Sequence, residues 1–190
     1  MKPEKLDEVL GELGTFITEE LATTQIAIGC LRVVAHRALA EFEAAQDQQE
    51  TRLLGTDVPG SGWVPSFHGI AGARGFAAEV AEGGRTHRRL TQQWIVTVYT
   101  GWESEFRRRI AAAREVDEEA ISAEIFGDLR HLRNDIVHNR GMASRDHSTR
   151  CAVVLKRRLD AGDPIYLRDD ELQWMHMLVP WATLLRGSAT

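Results

Sequence analysis

Cysteine and lysine are scarce in this 190-residue chain, and long apolar runs are missing altogether. The two cysteines, Cys30 and Cys151, stand far apart and cannot make a disulfide framework, so both are expected to be reduced residues packed inside the protein. No stretch approaches the roughly 18–20 uninterrupted apolar residues that a membrane-spanning helix needs. The opening residues Met1-Lys2-Pro3-Glu4-Lys5 are charged at once and carry no apolar signal core, which leads to the expectation of a cytoplasmic protein with no membrane partner. Strand patterning is equally thin, limited to one short extended piece, Ile165-Tyr166-Leu167, and there is no internal repeat or low-complexity tract. With 43% apolar residues the chain is no disordered tail either.

What is present is acid and arginine, unevenly placed. The net charge is −5, yet residues 1–50 hold ten acidic and four basic side chains, whereas residues 84–158 hold fifteen basic and ten acidic. Such asymmetry can focus a positive field on one surface of an acidic protein. The excess of twenty arginines over three lysines also has a plain explanation in a GC-rich genome, so charge alone does not establish nucleic-acid binding.

The length suits one domain with a real core. From Phe16 to about Leu54, the residues Ile17, Leu21, Thr24, Ile28, Leu31, Ala35, Ala38, Phe42 and Ala45 recur at spacings of four and three, the stripe of a long packed helix. Thr15 is its expected N-cap, and a short helix over Lys5–Leu13 is expected before it. Residues 55–84 are rich in glycine and proline and read as a long connection with at most a short helix near Phe76–Ala81. His68 and Arg74 within it are in a position to reach a ligand, although such residues are usually just solvated.

A second helix is expected over Thr86–Arg114, where Leu90, Trp94, Val98, Trp102, Phe106 and Ile110 step by four, followed by a third from an Asp117 N-cap to about Asn139, with Gly141 as its C′ residue. An amphipathic helix near Ser148–Leu159, a turn at Ala161-Gly162-Asp163-Pro164 and a last helix from Asp169 to about Leu185, with Leu172, Met175, Leu178, Val179 and Ala182 facing inward, complete the reading. The fold class is therefore all-α: one domain over 1–190, a bundle of about four to five helices with its core in 86–186, leading helices in 1–54 and the connection in 55–84.

The chemistry-bearing segment is Asp128-Leu129-Arg130-His131-Leu132-Arg133-Asn134-Asp135-Ile136-Val137-His138-Asn139-Arg140-Gly141. With Ile125 at 0° and about 100° per residue, Ile125, Leu129, Leu132 and Ile136 cluster near about 20°, the buried face. Asn134 then falls near about 180°, His138 near about 220°, Arg130 near about 140° and Arg133 near about 80°. A histidine thus projects away from the core stripe with two arginines on its flank. Histidine titrates near neutrality and serves as base or acid, while arginine is a permanent cation shaped for phosphate oxygens. That set suffices for attack of a ribose 2′-hydroxyl on its own 3′-phosphate, with no metal or other cofactor required. One histidine of this kind per helix argues for a homodimer that supplies two.

The bare spacing Arg-x4-His carries little, because about 0.7 such pairs are expected by chance from twenty arginines and seven histidines. The wider pattern, Leu-Arg-x-Leu-Arg-Asn-x-Ile-Val-His-Asn-x-Gly, closely resembles the signature of the HEPN superfamily, and Tyr99-Thr100-Gly101-Trp102-Glu103 followed by Phe106-Arg107 is similar to a HEPN subgroup. The resemblance covers residues 86–186 well and the first 85 only as a long leading helix. It implies an RNA-cleaving homodimer with a composite cleft, of a kind common in toxin–antitoxin and antiphage defence systems, where an antitoxin or other defence protein is a partner. It implies Arg133, Asn134 and His138 as catalytic residues. Beside them in the same segment, Arg130, His131, Asn139 and Arg140 are substrate-binding candidates.

Other readings stand beside this one. His138 has an ordinary place at a helix C-terminus, where the dipole favours a cation. His131 with Asp135 and Asp128 would make a sparse metal site, and the five tryptophans are more often core than base-stacking platforms. A catalytically silent HEPN module that binds RNA, nucleotide or a partner protein is the main alternative, and a purely structural helical oligomer is the third.

Overall fold

The computed structural model describes residues 5–47, 72–144 and 159–177, and the side chains of these apart from 42–47 and 176–177. Those residues form an all-α fold, as the patterning implies. In chain order the helices are α1 (Leu6–Asp47), α2 (Gly72–Val80), α3 (Arg85–Gly101), α4 (Arg107–Arg114), α5 (Glu124–His138) and α6 (Asp169–Met177). Among the described residues there is no strand, only an isolated antiparallel bridge between Met142 and Pro164. No helix there is long and apolar enough to cross a membrane. The expected helix at Ser148–Leu159, all but its last residue, lies outside the described residues, as do Leu54, Trp63, His68, Cys151 and the inward-facing positions Leu178, Val179, Trp181 and Ala182.

α1 is a single helix of 42 residues, not a short helix followed by a long one. Thr15 is no N-cap; its hydroxyl donates to the Gly11 carbonyl one turn back, at 3.0 Å. The buried series Val9, Leu13, Ile17, Leu21 and Ile28 runs straight through Gly11 and Gly14, so burial of a continuous stripe overrides the glycines. Cys30, expected inside, is exposed because it lies on the face opposite Ile28 and Ala35.

α3 and α4 are joined by a π-helical segment, Trp102–Phe106, in which the Arg107 amide donates to the Trp102 carbonyl five residues back. The row that steps by four explains it. In a regular helix each such step advances about 40° around the axis, so six positions would wind off the core. One wider turn absorbs about one residue's rotation and brings the row back. Trp94, Val98, Trp102, Phe106 and Ile110 are accordingly all buried. Trp102 stacks on Phe126 of α5, with ring centroids 3.9 Å apart, and Phe16 of α1 lies against Phe106 at 5.6 Å. Gly101 permits that approach, since a Cβ there would run into the Phe16 ring.

The Asp117 expectation fails. Its side chain makes no cap bond, one 3-10 turn follows at Glu118–Ala120, and Ile121 is extended, so α5 begins only at Glu124. The Arg107 Nε donates to the carbonyls of both Glu118 and Ile121, each at 3.1 Å. Those carbonyls are therefore engaged elsewhere than in a helix running on from Asp117.

One core joins α1, α3, α4, α5 and the segment 159–175. A satellite cluster of Ala35, Phe76 and Val80 fastens α2, which starts a turn earlier than the expected Phe76–Ala81, to the second half of α1.

His87 locks α6 onto this frame. Its side chain is fully buried, its Nδ1 accepts the Gly83 N–H at 3.3 Å, and its Nε2 therefore carries the proton that faces Asp169 Oδ1 at 3.3 Å. Asp169 Oδ2 also takes Arg32 Nη1 at 2.8 Å, and Glu82 caps the Asp169 amide at 2.9 Å. Burial pushes His87 below its ordinary value of 6.5 and Arg32 adds to this, outweighing the opposing pull of Asp169 and Glu82. The folded protein therefore resists a proton that the unfolded chain accepts, so stability present above about pH 6.5 is lost as pH falls from there through the folded pKa. Melts taken from about pH 7.5 to about pH 5.5 should show the wild-type midpoint falling more steeply than that of His87→Gln. Parallel slopes would mean that His87 titrates alike in both states.

A candidate active site at the C-terminal end of α5

α5 forms as the apolar spacing requires. Ile125, Leu129 and Leu132 are at most 2% exposed, whereas His138, the last residue of the helix, is exposed. The buried sector is wider than the apolar residues alone, because Asp128 and Asp135 are also buried. α5 packs antiparallel to α3, with Tyr99 beside Arg130 and Gln92 beneath Gly141.

Arg130, Asn134 and His138, spaced at i, i+4 and i+8, line the outer face of α5, and Arg133 lies at its edge, half-buried. Arg133 Nη1 donates to Asn134 Oδ1 at 3.1 Å, which leaves the Asn134 amide nitrogen as the free donor. Arg133 Nε is buried and has no acceptor among the described residues. Some arginines elsewhere are ion-paired, Arg32 with Asp169 at 2.8 Å, Arg85 with Glu79 at 2.9 Å and Arg109 with Glu12 at 2.6 Å. Arg32 Nη2 is likewise buried without an acceptor, and Arg88, Arg89, Arg108, Arg114 and Arg168 have no ion pair among the described residues. Arg130, Arg133 and Arg140 have no carboxylate within ion-pair reach among the described residues. Buried polar groups in native proteins are nearly always satisfied, so an unmatched guanidinium N–H beside two unpaired cations marks a place for an anion.

The flank towards α3 carries a second chain of polar groups. Tyr99 donates its hydroxyl to Glu103 Oε2 at 3.1 Å, and Glu103 Oε1 receives Arg107 Nη1 at 3.5 Å. Burial, then the adjacent Glu103 carboxylate, raises the Tyr99 phenol above its usual 10.0, with Arg130 and Arg107 pulling the other way. Tyr99 therefore stays protonated at neutral pH and serves as a donor, not a base.

The loop after His138 is tightly built around Asp135. Its carbonyl accepts the amides of Asn139 at 2.9 Å and Gly141 at 3.2 Å, and its Oδ2 accepts the Ser144 amide at 2.9 Å and hydroxyl at 3.2 Å. The left-handed C′ position expected at Gly141 falls on Arg140, with φ 56°, and Gly141 follows with φ 74°. Gly141 is needed where it stands because any Cβ would meet Gln92 Nε2, which bonds the Ile165 carbonyl at 2.8 Å. Gly141, Ala143, Gly162, Asp163 and Ile165 are stitched together by three backbone bonds of 2.8 Å.

Arg133, Asn134, His138 and Arg130 thus share one surface, and Arg140 follows directly on it. Asn139 is engaged differently, its Nδ2 donating to the Met142 carbonyl at 2.8 Å within the loop, and His131 is half-buried with interactions of its own. Among the described residues no three metal-ligating side chains gather, and Asp135 faces Ser144 instead. Arg74 lies exposed on α2. Trp94 and Trp102 are core and Trp174 is half-buried. The role of Asp135 escaped the sequence reading, in which it figured only as a metal ligand; its signal is a serine nine residues on, too far to read without the loop. No protein-family model, curated protein or solved structure gives a significant match to this chain.

Proposed function

We propose that this protein is a metal-independent endoribonuclease of the HEPN type, acting in a toxin–antitoxin or antiphage setting from within the cytoplasm. The observation that carries the reading is the half-buried Arg133, with an N–H that no described residue accepts, on the same helix end as the exposed His138. A phosphodiester bound there places its non-bridging oxygens on Arg133, with Arg130 as a second cation and the Asn134 amide as a neutral donor. His138 takes the 2′-hydroxyl proton as the oxygen attacks phosphorus, and the bond to the 5′-oxygen breaks as that oxygen gains a proton. Arg133 holds the charge that accumulates on the phosphate in between. A single imidazole does not readily serve both proton transfers in one step, so a second copy of the chain, related by a two-fold axis, supplies the other His138.

The test is cleavage of total RNA in EDTA. Products should carry a 2′,3′-cyclic phosphate and a 5′-hydroxyl, and light scattering at micromolar concentration should show a dimer. A 5′-phosphate on the products, or chelator sensitivity relieved by added metal, overturns the mechanism. Binding of RNA without any cleavage favours the silent HEPN module instead.

A further inference from the structure

Arg140 is held in a conformation that arginine does not favour. Its φ of 56° lies in the left-handed region, where the Cβ crowds the following carbonyl and which glycine enters freely. The amides on either side, those of Asn139 and Gly141, both bond the Asp135 carbonyl, and the Asp135 carboxylate fixes Ser144 beyond, so the conformation is imposed by the clasp. Among the described residues no contact of the Arg140 side chain helps to offset it. The Arg140 side chain is exposed and has no hydrogen bond, ion pair or ring contact among the described residues. Strained positions that the surrounding structure holds in place cluster at functional sites.

We propose that Arg140 is a phosphate-contacting residue of the α5 site, presented next to His138 by the Asp135–Ser144 clasp. The proposal rests on the ribonuclease reading for the identity of the ligand as RNA. The two arginines on the helix and the one beyond its end then bracket His138, with Arg130 and Arg133 before it and Arg140 two residues after it. A single strand lying along this face has one phosphate at Arg133 and a neighbouring phosphate at Arg140. Glu115 provides an internal control, because it occupies the same left-handed position at the end of α4, also with φ 56°, and is likewise exposed.

The experiment compares wild type, Arg140→Gly, Arg140→Lys and Glu115→Gly. Each is melted, and each is titrated with a fluorescently labelled single-stranded oligonucleotide of 2′-O-methyl ribose, which binds but lacks the attacking hydroxyl. Both glycine variants should melt about 1–4 °C higher than wild type. Arg140→Gly should bind about tenfold or more weakly, with the slope of log affinity against log salt shallower by about 0.7, one phosphate contact on a single strand. Arg140→Lys should keep the slope. Glu115→Gly should bind no worse than wild type. An Arg140→Gly variant that binds with wild-type affinity and slope, or that melts no higher than wild type, overturns the proposal, as does a wild type that does not bind the oligonucleotide. If wild type binds in an Arg140-dependent way yet never cuts RNA, the ribonuclease reading falls and the assignment of Arg140 stands.

Discussion

His138→Ala should lose the proposed RNA cleavage by roughly 10²–10⁴-fold, the usual consequence of removing a general acid or base, while circular dichroism and the melting midpoint should stay at the wild-type level. The separation follows from where the residue sits. His138 is the last residue of α5, exposed, and on the opposite side of the helix from Leu129 and Leu132. Arg133→Ala should lose a comparable factor, because a fixed cation on the pentavalent phosphate is removed. It should melt slightly lower as well, since Arg133 is half-buried and its Nη1 holds Asn134. Asn134→Ala should do less, because an amide orients a phosphate but moves no proton. A His138→Ala protein that folds normally and cuts RNA at the wild-type rate removes the ribonuclease reading.

Leu132→Ala should behave in the opposite way. Leu132 is 2% exposed within the core that α5 shares with α1, α3 and α4. Truncating a leucine there leaves a cavity and costs about 2–5 kcal/mol. For a chain of this length that lowers the midpoint by about 4–20 °C. Activity of the folded fraction at low temperature should remain near wild type, because Leu132 lies in the core and carries none of the proposed chemistry. If Leu132→Ala melted like wild type while His138→Ala melted early, the two faces of α5 would have been exchanged.

The faces of α5 were legible because apolar residues at helical spacing are the strongest periodic signal a chain carries. The burial of Asp128 and Asp135 was not, since a carboxylate is ordinarily solvated, and the Ser144 groups that satisfy Asp135 come from the loop beyond the helix. The start of α1 was misread for a related reason. Gly11, Gly14 and Thr15 look like local punctuation, yet Val9, Leu13 and Ile17 continue the stripe, and the packing of Phe16 against Phe106 outweighs propensity. The C-terminal end of α5 shows how two demands on neighbouring residues displace a simple rule. Glycine is the usual C′ residue, but here it stands one place later, where Gln92 leaves no room for a Cβ, and Arg140 is left to take the left-handed position. The Arg-Asn-x-x-x-His pattern is legible in one dimension, whereas the lack of a carboxylate within ion-pair reach of Arg130 and Arg133 among the described residues is a fact of three dimensions that no spacing conveys.

The π turn at Trp102–Phe106 decides where its helix can change length. Deleting one residue there would restore regular hydrogen bonding and remove a local irregularity, which in most helices is harmless. Here too the wide turn already absorbs one residue's rotation, so Ile110 and Ala111 would stay in phase with Trp94 and Val98. A deletion within α3 has no such slack and would rotate all that follows by about 100°. Ile110 and Ala111 would then leave the core, and the Arg107 guanidinium would swing away from the carbonyls of Glu118 and Ile121 that it holds at the entrance to α5. Substitutions at the exposed positions of this segment, such as Ser104, can therefore drift freely over generations, and the wide turn can lose its extra residue, whereas α3 cannot change its length: there the helix tolerates new letters but not a new reading frame of faces.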